Sequence, residues 1–421
     1  MSFDTRFDKV LHLSKELAKS KDRIVDLAVK NLQFTVKDSL MEVDLVTERL
    51  SMYEQAREFL ADRIPLGGPG SSVSLVLSYN GTAWLNTAIT SIYMVGNRVN
   101  VKFSSKGDDV MALTRDIYRP IFGDAITFHR GSGRSFLEAS LKDPSVSAVA
   151  VFGFDGNIMP YQRAVEQSGK KLIFEGPGQD PFIVFPDADL DLALDDLVTA
   201  KYIYSGQTCT APKRILVHRS IYTPFLERLV ERVKQLIVGD PADPRTDVSP
   251  VASDLAVSMI AAQLEDARQK GAEILVGGTI EGNLIFPTVV KNCTDDMLGM
   301  REEVFGPVAF TSSFETSEEV VARAKNHKYG LRAAVFGGGG AKEVAAALRG
   351  EDYCHLVPDY TFGRFGTVAL NEPRSVSWQG ALIVKPIGGY GYSGWIWETV
   401  DGRFRIKQGA KLFSVETSLP G

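Results

Sequence analysis

The segment AVAVFGFDGNIMPYQRAVEQSGKKLIFEG (148–176) decides the fold of this chain. Its two ends, AVAVFG (148–153) and KLIFEG (171–176), are short β-rich apolar runs, and the helical stretch YQRAVEQ lies between them. A strand, a crossover helix and a second strand in this order predict two parallel strands joined by a right-handed connection. The sheet to which they belong is therefore expected to carry helices on both faces.

The same alternation continues towards the N-terminus. The runs VSLVL, RVNVKF and AITFHR have strand character, helix-length segments such as NTAITSIYMVG separate them, and the predicted strands cover 73–77, 98–103 and 125–130. Alternating strands and helices predict a doubly wound parallel sheet. Because ligands bind such sheets beyond the carboxyl ends of the strands, the residues that directly follow each strand are candidates for a functional site.

Two further regions flank this sheet. Residues 3–64 carry apolar residues at helical spacing and end at PLGGPGSS (65–72), which predicts an N-terminal helical region. The chain beyond residue 178 alternates helices and strands again and is expected to form a second α/β domain with its own core. KLFSVETS (411–418) is a β-rich run without a local partner, which is typical of an edge that pairs with another surface.

Length and composition define the class of protein. A chain of 421 residues suits two domains, and 44% apolar and 24% charged residues are typical of a globular protein. The three cysteines include no C-x-x-C pair and the five histidines do not cluster, which argues for a reducing compartment and against a metal. A net charge of -5 with interspersed signs argues against nucleic-acid binding. Without an apolar signal region or membrane-length run, the sequence predicts a cytoplasmic enzyme that contacts no membrane.

Cys209 and Glu175 are the candidates for chemistry. Cys209 lies in SGQTCTAPKR (205–214), where small polar neighbours favour an accessible thiolate; a small buried cysteine is the alternative. Glu175 ends a strand and precedes the Gly/Pro-rich backbone of FEGPGQDPF (174–182), where a doubly wound sheet presents its cleft. A helix cap or a surface ion pair is the alternative role for this carboxylate.

Five segments together resemble the aldehyde dehydrogenase superfamily. FEGPGQDPF is similar to the family segment around a general-base glutamate and SGQTC to the G-Q-x-C segment around a nucleophilic cysteine, and the interval of 34 residues (209 − 175) agrees with the family spacing. REEVFGPV (301–308), NHKYGLRAAVF (326–336) and PIGGYGYSG (386–394) resemble three further segments, in family order. The resemblance implies an α/β fold with a Rossmann-type doubly wound cofactor domain, a second α/β catalytic domain and a C-terminal oligomerisation strand.

The resemblance also implies the NAD(P)-dependent oxidation of an aldehyde to a carboxylic acid. Cys209 would attack the carbonyl to give a thiohemiacetal, hydride transfer would leave a thioester, and Glu175 would activate the water that hydrolyses it. Asn80, in SYNGT after the first strand, resembles the family's oxyanion asparagine, with the Cys209 backbone N–H as its companion. Capping the following helix is the alternative role for Asn80.

Five residues are implied as cofactor contacts in the same way. Glu303 matches the acid that holds the nicotinamide ribose, and Phe305 matches the ring beside it, with an ordinary core role as the alternative. Lys102 matches the lysine that contacts the adenine ribose. Gly153 and Gly176 lie in the segments that approach the phosphates and the nicotinamide carboxamide.

The sequence departs from the family pattern at the cofactor. Ser105 stands where the family usually has an acid that bonds both ribose hydroxyls, and Lys106 follows it. A carboxylate repels a 2'-phosphate, whereas a serine beside a lysine accommodates one, so the choice between NAD and NADP stays open with a slight preference for NADP. Phe154 replaces a small hydroxyl residue in FGFDGN (152–157), and EGPG replaces the usual E-L-G-G.

Two other functions stay open. The first is a relative that passes the thioester to coenzyme A, although such relatives typically lack the base glutamate that Glu175 matches. The second is a non-catalytic paralogue that binds nucleotide, which the altered EGPG and FGFDGN segments favour.

The resemblance implies a division of the chain and an assembly. Residues 1–177 would hold the helices and cofactor domain, 178–385 the catalytic domain, 386–410 a return segment to the cofactor domain, and 411–421 an oligomerisation strand. A shortened front predicts a homodimer rather than a tetramer, with a monomer as the alternative. The loop 372–385 is expected to wall the substrate tunnel. Aromatic residues expected near this tunnel predict an apolar or aromatic aldehyde; they are Tyr79, Trp84, Trp378, Trp395 and Trp397.

Overall fold

The computed structural model describes residues 1–81, 86–349, 352–353, 361–362, 364–374, 387–412 and 416–419. The chain begins with helices whose apolar stripes pack on the first sheet, where Val10 and Val46 share a core with Leu75. These helices are α1 (Phe3–Lys19), α2 (Lys21–Leu32), α3 (Val36–Ser51) and α4 (Arg57–Ala61). The N-terminus of α3 is capped by Thr35, whose side chain accepts a hydrogen bond from the Asp38 N–H. The predicted helical N-terminal region is confirmed.

A first α/β unit follows a short strand, β1 (Ile64–Pro65). In chain order the unit contains β2 (Ser72–Val76), α5 (Asn86–Met94), β3 (Arg98–Lys102), α6 (Asp108–Phe122), β4 (Ile126–Phe128), α7 (Gly133–Lys142), β5 (Val146–Phe152), α8 (Asp155–Ile158), α9 (Gln162–Ser168) and β6 (Lys171–Glu175). The predicted crossover of residues 148–176 is confirmed, because β5 and β6 pair in parallel with Ala148 opposite Lys171.

A second α/β unit follows directly. Its elements are β7 (Asp180–Val184), α10 (Leu190–Tyr202), β8 (Pro212–His218), α11 (Tyr222–Lys234), α12 (Asp254–Gln269), β9 (Glu273–Val276), β10 (Ile280–Glu281), β11 (Leu284–Ile285), β12 (Thr288–Lys291), α13 (Leu298–Arg301), β13 (Val308–Phe314), α14 (Ser317–Lys325), β14 (Tyr329–Gly330), β15 (Arg332–Phe336), α15 (Gly339–Arg349), β16 (Asp352–Tyr353), β17 (Thr361–Phe362) and β18 (Thr367–Leu370). The chain ends with β19 (Ile387–Gly391), β20 (Gly394–Val400), β21 (Arg403–Gln408), β22 (Ala410–Leu412) and β23 (Ser418–Leu419).

Two large sheets organise these elements. The first has the order β21-β20-β6-β5-β2-β3-β4, in which β2 to β6 are parallel and the β20–β21 hairpin is antiparallel. β3 and β4 lie on one side of β2, and β5 and β6 lie on its other side. The strand order therefore reverses between β2 and β5, as predicted for a doubly wound sheet. The second sheet has the order β18-β15-β7-β8-β13-β12-β9 and is parallel except at β9.

The C-terminal run differs from the sequence-based expectation. Within the described residues it is not a lone strand, because Ala410–Leu412 pairs with β19 and Ser418–Leu419 pairs with β1 of the same chain. The sequence pattern missed β1 as a partner because Ile64–Pro65 lies more than three hundred residues away along the chain. The oligomerisation role of residues 411–421 and the domain boundaries stay predictions. Trp84, Trp378 and most of the loop 372–385 lie outside the described residues.

In the part of the chain that the structure describes, none of the helices combines the length and the apolar character that crossing a bilayer requires.

Candidate active site

A cavity of about 660 Å³ opens at the carboxyl ends of the first sheet's strands. Its walls include residues that directly follow β2, β3, β5 and β6, the turn that precedes β8, and one face of α3. The cavity therefore lies at the reversal of strand order between β2 and β5, where doubly wound sheets bind their ligands. Cys209, Glu175 and Asn80 all line it, together with five of the six residues predicted to contact a cofactor.

Cys209 lies in an unusual turn between α10 and β8. After α10 ends at Tyr202, Tyr204 and Ser205 have φ angles of 50° and 54°, and Gly206 has a φ of 74°. Left-handed backbone at two non-glycine residues persists only where the surroundings hold it. A Cβ added to Gly206 would lie 2.2 Å from the Gly306 carbonyl oxygen, so a glycine is required here. This close contact packs the cysteine turn against the REEVFGPV segment.

Cys209 and Glu175 form a pair inside the cavity. The Cys209 thiol, which is partly exposed, lies 3.7 Å from Glu175 Oε1 and donates to it. Glu175 is 4% exposed at the end of β6, and burial raises its pKa to about 8. Burial, and then the negative charge of Glu175, raise the pKa of Cys209 well above its usual range. Because the two groups lie in contact, the charge of each affects the titration of the other.

Glu303 lies close to this pair and is held by two donors. Its Oε1 accepts a hydrogen bond from the Gly178 N–H at 3.2 Å and lies 3.5 Å from the Lys213 ammonium. Burial raises the pKa of Glu303, and the positive charge of Lys213 opposes that rise. Lys213 is fully buried and also donates to the carbonyls of Thr208 and Cys209. The sequence analysis missed Lys213, which lies at the start of β8, four residues after the cysteine.

Asn80 and Phe305 line the cavity as predicted. The Oδ1 atom of Asn80 accepts a hydrogen bond from Ser78 Oγ at 2.5 Å, which leaves the amide nitrogen as the donor. The residues between Asn80 and α5 lie outside the described part, so the cap alternative stays untested. Phe305 packs edge-on against Tyr79, with ring centroids 6.2 Å apart. Its ring therefore forms part of the cavity wall and not only of the core.

The family model described as the aldehyde dehydrogenase family matches residues 1–402. This chain belongs to the aldehyde dehydrogenase family. It is accordingly an NAD(P)-dependent enzyme that oxidises an aldehyde, and the arrangement of cysteine, glutamate and asparagine in the cavity suits that chemistry.

Solved structures share the fold of this aldehyde dehydrogenase along nearly its whole length. An oxidoreductase from Marinobacter aquaeolei is 23% identical with a TM-score of 0.85, covering 100% of this chain and 85% of its own. A betaine aldehyde dehydrogenase from Staphylococcus aureus in complex with NAD+ is 23% identical with a TM-score of 0.82, covering 97% and 83%. An NADP-dependent enzyme of E. coli is 20% identical with a TM-score of 0.84, covering 99% and 84%. The predicted aldehyde-dehydrogenase-like α/β fold is confirmed.

The predicted cofactor contacts of this aldehyde dehydrogenase surround the cavity, with one exception. Ser105 lies exposed in the turn after β3, and a Cβ added to Gly153 would meet nothing within 4 Å, so the cavity reaches the backbone there. A Cβ added to Gly176 would lie 2.4 Å from the Phe174 ring and 2.7 Å from the Tyr392 carbonyl oxygen. Glycine is thus required at Gly176 by the packing of β6 against the segment that precedes β20.

Lys102 is the exception. Its side chain is 1% exposed, and its ammonium donates to the Phe103 carbonyl and lies 3.8 Å from Asp108. Lys102 does not line the cavity, whereas Phe103 and Ser105 do. The hydrogen bond to the Phe103 carbonyl and the ion pair with Asp108 hold the Lys102 ammonium away from the cavity. The contact between Lys102 and a ribose stays a prediction.

Of the aromatic residues predicted to line the substrate tunnel, one lines the cavity and two lie in the core. Tyr79 lines the cavity. Trp395 and Trp397 do not, because β20 places them in the core of the first sheet, where they are 3% and 1% exposed. Trp395 stacks on Phe174 with ring centroids 4.0 Å apart. The prediction that these two tryptophans lie near the substrate is wrong, since large aromatic side chains are core residues more often than pocket linings.

The N-terminal helices contribute residues that the sequence analysis missed. Asp38, at the start of α3, accepts a hydrogen bond from the Tyr204 N–H at 2.8 Å, which ties α3 to the cysteine turn. Further along α3, Met41, Glu42 and Leu45 line the cavity. Helical spacing identified the apolar face of the N-terminal helices. It did not predict that α3 would lie beside the turn that carries Cys209.

Proposed function

We propose that this enzyme oxidises its aldehyde through a covalent intermediate on Cys209. The observation that carries the proposal is the distance of 3.7 Å between the Cys209 sulfur and Glu175 Oε1 inside one cavity at the switch point of the first sheet. A thiol that hands its proton to a neighbouring carboxylate becomes a nucleophile able to attack a carbonyl carbon. The product of that attack is a thiohemiacetal whose oxygen carries negative charge.

We propose that Asn80 and the Cys209 backbone N–H stabilise this oxyanion. Both residues line the same cavity, and Ser78 Oγ donates a hydrogen bond to the oxygen of the Asn80 amide. Preorganised donors of this kind act where charge develops in the transition state. The backbone donor needs no side chain, so its direction depends on the conformation of the turn around Cys209.

Glu175 is proposed as the general base that activates water against the thioester. Burial raises its pKa to about 8, close to the operating pH at which a general base is most effective. The same carboxylate lies close enough to take the thiol proton in the first half of the reaction. Glu175 serves both stages when it releases the thiol proton to solvent before it deprotonates the water that attacks the thioester.

The cavity fits a nicotinamide dinucleotide. It extends from Cys209 to Gly133 at the N-terminus of α7, where backbone N–H groups favour a phosphate, and the open space at Gly153 admits a ligand against the backbone. We propose that Ser105, Gly153, Glu303 and Phe305 hold the cofactor. When bound, the nicotinamide supplies the hydride acceptor for the oxidation. The exposed Phe154 at this wall is a departure that bears on affinity.

We propose NADP over NAD as the preferred cofactor. Ser105 places a hydroxyl where an acid would repel a 2'-phosphate, and Lys106 beside it is exposed. The Lys106 ammonium lies 2.7 Å from the Ala252 carbonyl oxygen, which holds it near this wall. In a Ser105→Asp variant we expect the ratio of kcat/KM with NADP to kcat/KM with NAD to fall at least about tenfold, as charge repulsion requires. An unchanged ratio would remove the basis for the preference.

The substrate is proposed to be an apolar or aromatic aldehyde. Support comes from the apolar residues near the cysteine turn that line the cavity, namely Met41, Leu45, Tyr79, Ile203 and Tyr204. An aldehyde panel assayed in parallel with NAD and NADP, on wild type and on Cys209→Ala, tests the reaction and the substrate class together. Absence of reduced cofactor with every aldehyde would favour the non-catalytic alternative, and product release that depends on coenzyme A would favour the acylating one.

A homodimer and a cytoplasmic location stay part of this proposal. The cytoplasmic location rests on three cysteines without a C-x-x-C pair. Light scattering coupled to size exclusion measures the assembly, and a mass other than that of two chains would contradict the dimer.

A further inference from the structure

Lys213 places a buried ammonium group directly behind the turn of Cys209. Its side chain is 0% exposed. Lys213 lies at the start of β8, and its side chain extends back to the turn. Three acceptors surround the nitrogen: the Thr208 carbonyl at 3.1 Å, the Cys209 carbonyl, and Glu303 Oε1 at 3.5 Å. An ammonium has three N–H donors, so these acceptors occupy all of them. The position of the group is therefore fixed.

The orientation of two peptide units follows from these bonds. The C=O and N–H of a trans peptide point in opposite directions, and the described residues contain no cis peptide. When Lys213 draws the Thr208 carbonyl towards itself, the N–H of Cys209 points to the other side of the turn. Thr208, Cys209 and Asn80 line the cavity, whereas Lys213 does not. The N–H of Cys209 is thus directed towards the side where the oxyanion would form.

Lys213 also balances the charge of the site. Glu175, Glu303 and Asp180 are all buried or nearly buried around Cys209, and each negative charge makes a thiolate less favourable. The positive charge of Lys213 lowers the pKa of Cys209 and of all three carboxyls. Lys213 thus lowers the pKa of each of these four groups, although burial raises each pKa more strongly.

We propose that Lys213 is the positioning residue of this active site. Its ammonium holds the Thr208 and Cys209 carbonyls and the Glu303 carboxylate in one geometry, which directs the Cys209 N–H into the cavity and allows a thiolate to exist beside two carboxylates. The inference rests on the proposed role of Cys209 as nucleophile. The Lys213 ammonium is the group that positions this nucleophile and allows its thiolate to form.

The test is the pH dependence of Cys209 alkylation by iodoacetamide, followed by peptide mass spectrometry in the absence of aldehyde and cofactor. In Lys213→Met we expect alkylation at pH 8 to be slower than in wild type by about tenfold or more, because each unit of pKa changes the thiolate fraction tenfold. Lys213→Arg keeps the charge and should restore most of the rate. An alkylation profile of Lys213→Met that superimposes on the wild-type profile would overturn the proposal.

Lys201→Met is the matched control. Lys201 is also 0% exposed, but its ammonium has no hydrogen-bond partner within the described residues, and burial lowers its pKa well below the usual value. Its replacement removes less charge and no contact with the turn. We expect the alkylation rate of Lys201→Met to stay within about twofold of wild type. A loss equal to that of Lys213→Met would show that any buried lysine serves, which contradicts a specific role.

Removing Lys213 leaves the Glu303 carboxylate buried without its cation, which is costly for folding. The double variant Lys213→Met/Glu303→Gln removes that cost, and Glu303→Gln alone is its reference, because the two differ only at Lys213. We expect the double variant to be alkylated about tenfold more slowly than Glu303→Gln, and equal rates would refute the role of Lys213. Because alkylation needs no substrate, a wild type that oxidises no aldehyde would refute the proposed function and not this inference.

Discussion

At Cys209 the surroundings that build the site act on the pKa of the thiol in opposite directions. Burial and the adjacent Glu175 both raise the pKa of the cysteine, and Lys213 opposes them. A nucleophile of this kind becomes active when a neighbouring base accepts its proton, and Glu175 is placed to do so.

Replacement of this sulfur tests its role as nucleophile. We expect Cys209→Ala to lower kcat below detection and to leave NADP binding, measured by fluorescence titration, within about threefold of wild type, because a covalent step admits no substitute. Cys293→Ala is the control. Cys293 is 2% exposed and lies in the core of the second unit. Comparable activity loss in both variants would point to misfolding instead of lost chemistry.

Glu175 sets a pH dependence for turnover. Its unprotonated form is the base, and its pKa of about 8 means that this form increases about tenfold per pH unit well below that value. We therefore expect kcat, where thioester hydrolysis limits it, to rise between pH 6 and 8 and to level off above. The check is a kcat profile over that range with one aldehyde. A profile that falls from pH 6 to 8 would exclude Glu175 as the base.

At the scale of elements, α3 and the cysteine turn form one unit. Asp38 accepts the Tyr204 N–H, and Phe34 and Leu32 share a small apolar cluster with Ile203 and Tyr204. The left-handed backbone at Tyr204 and Ser205 is strained and needs such support. The N-terminal helices thus hold the turn from which the nucleophile projects.

Asp38 tests this support. In Asp38→Ala the buried Tyr204 N–H loses its acceptor, which costs about 1–3 kcal/mol of unfolding free energy and loosens the turn. We expect a matching loss of stability in urea unfolding and a lower kcat, with recovery in Asp38→Asn, whose amide oxygen still accepts. Asp44→Ala on the same helix is the control. It removes only an exposed pair with Lys21, worth at most about 1 kcal/mol. Equal effects of the two alanine variants would contradict the special role of Asp38.

At the scale of the whole molecule, a buried catalytic carboxyl makes stability depend on pH. Glu175 has a pKa of about 8 in the folded protein, whereas glutamate titrates near about 4.3 in an unfolded chain. Folding therefore takes up a proton between these values, and the stabilisation is complete below the lower pKa and lost as pH rises through the higher one.

The difference between wild type and Glu175→Gln isolates this effect. Glutamine does not titrate, so we expect the unfolding free energy of wild type to fall relative to the variant between pH 5 and 9, by on the order of a few kcal/mol. Urea unfolding of both proteins at several pH values measures it. A difference that stays constant, or that changes in the opposite sense, would show that Glu175 is not a buried acid with a raised pKa.

Some features of the fold and the site could be predicted from the sequence, and others could not. The residues after β2, β5 and β6 converge because parallel strands end at one edge, so Asn80, Gly153 and Glu175 could be placed by strand order and family resemblance together. The direction of the Lys102 side chain could not, because it depends on the hydrogen bond to the Phe103 carbonyl and the ion pair with Asp108, which strand order does not predict. Lys213 and Asp38 act through backbone atoms of a turn, and no residue pattern reveals such contacts. The pairing of Ser418–Leu419 with Ile64–Pro65 could not be predicted either, since more than three hundred residues separate the two strands.

In the proposed mechanism, aldehyde oxidation leaves an acyl group on Cys209, and Glu175 is needed to remove it. The most direct test mixes Glu175→Gln with aldehyde and NADP, follows reduced cofactor in a stopped-flow instrument and then determines the mass of the Cys209 peptide. We predict a burst of about one equivalent of reduced cofactor per active site, then a stall, and an acyl increment on Cys209. Steady turnover without a burst, or an increment on any other residue, would contradict the account.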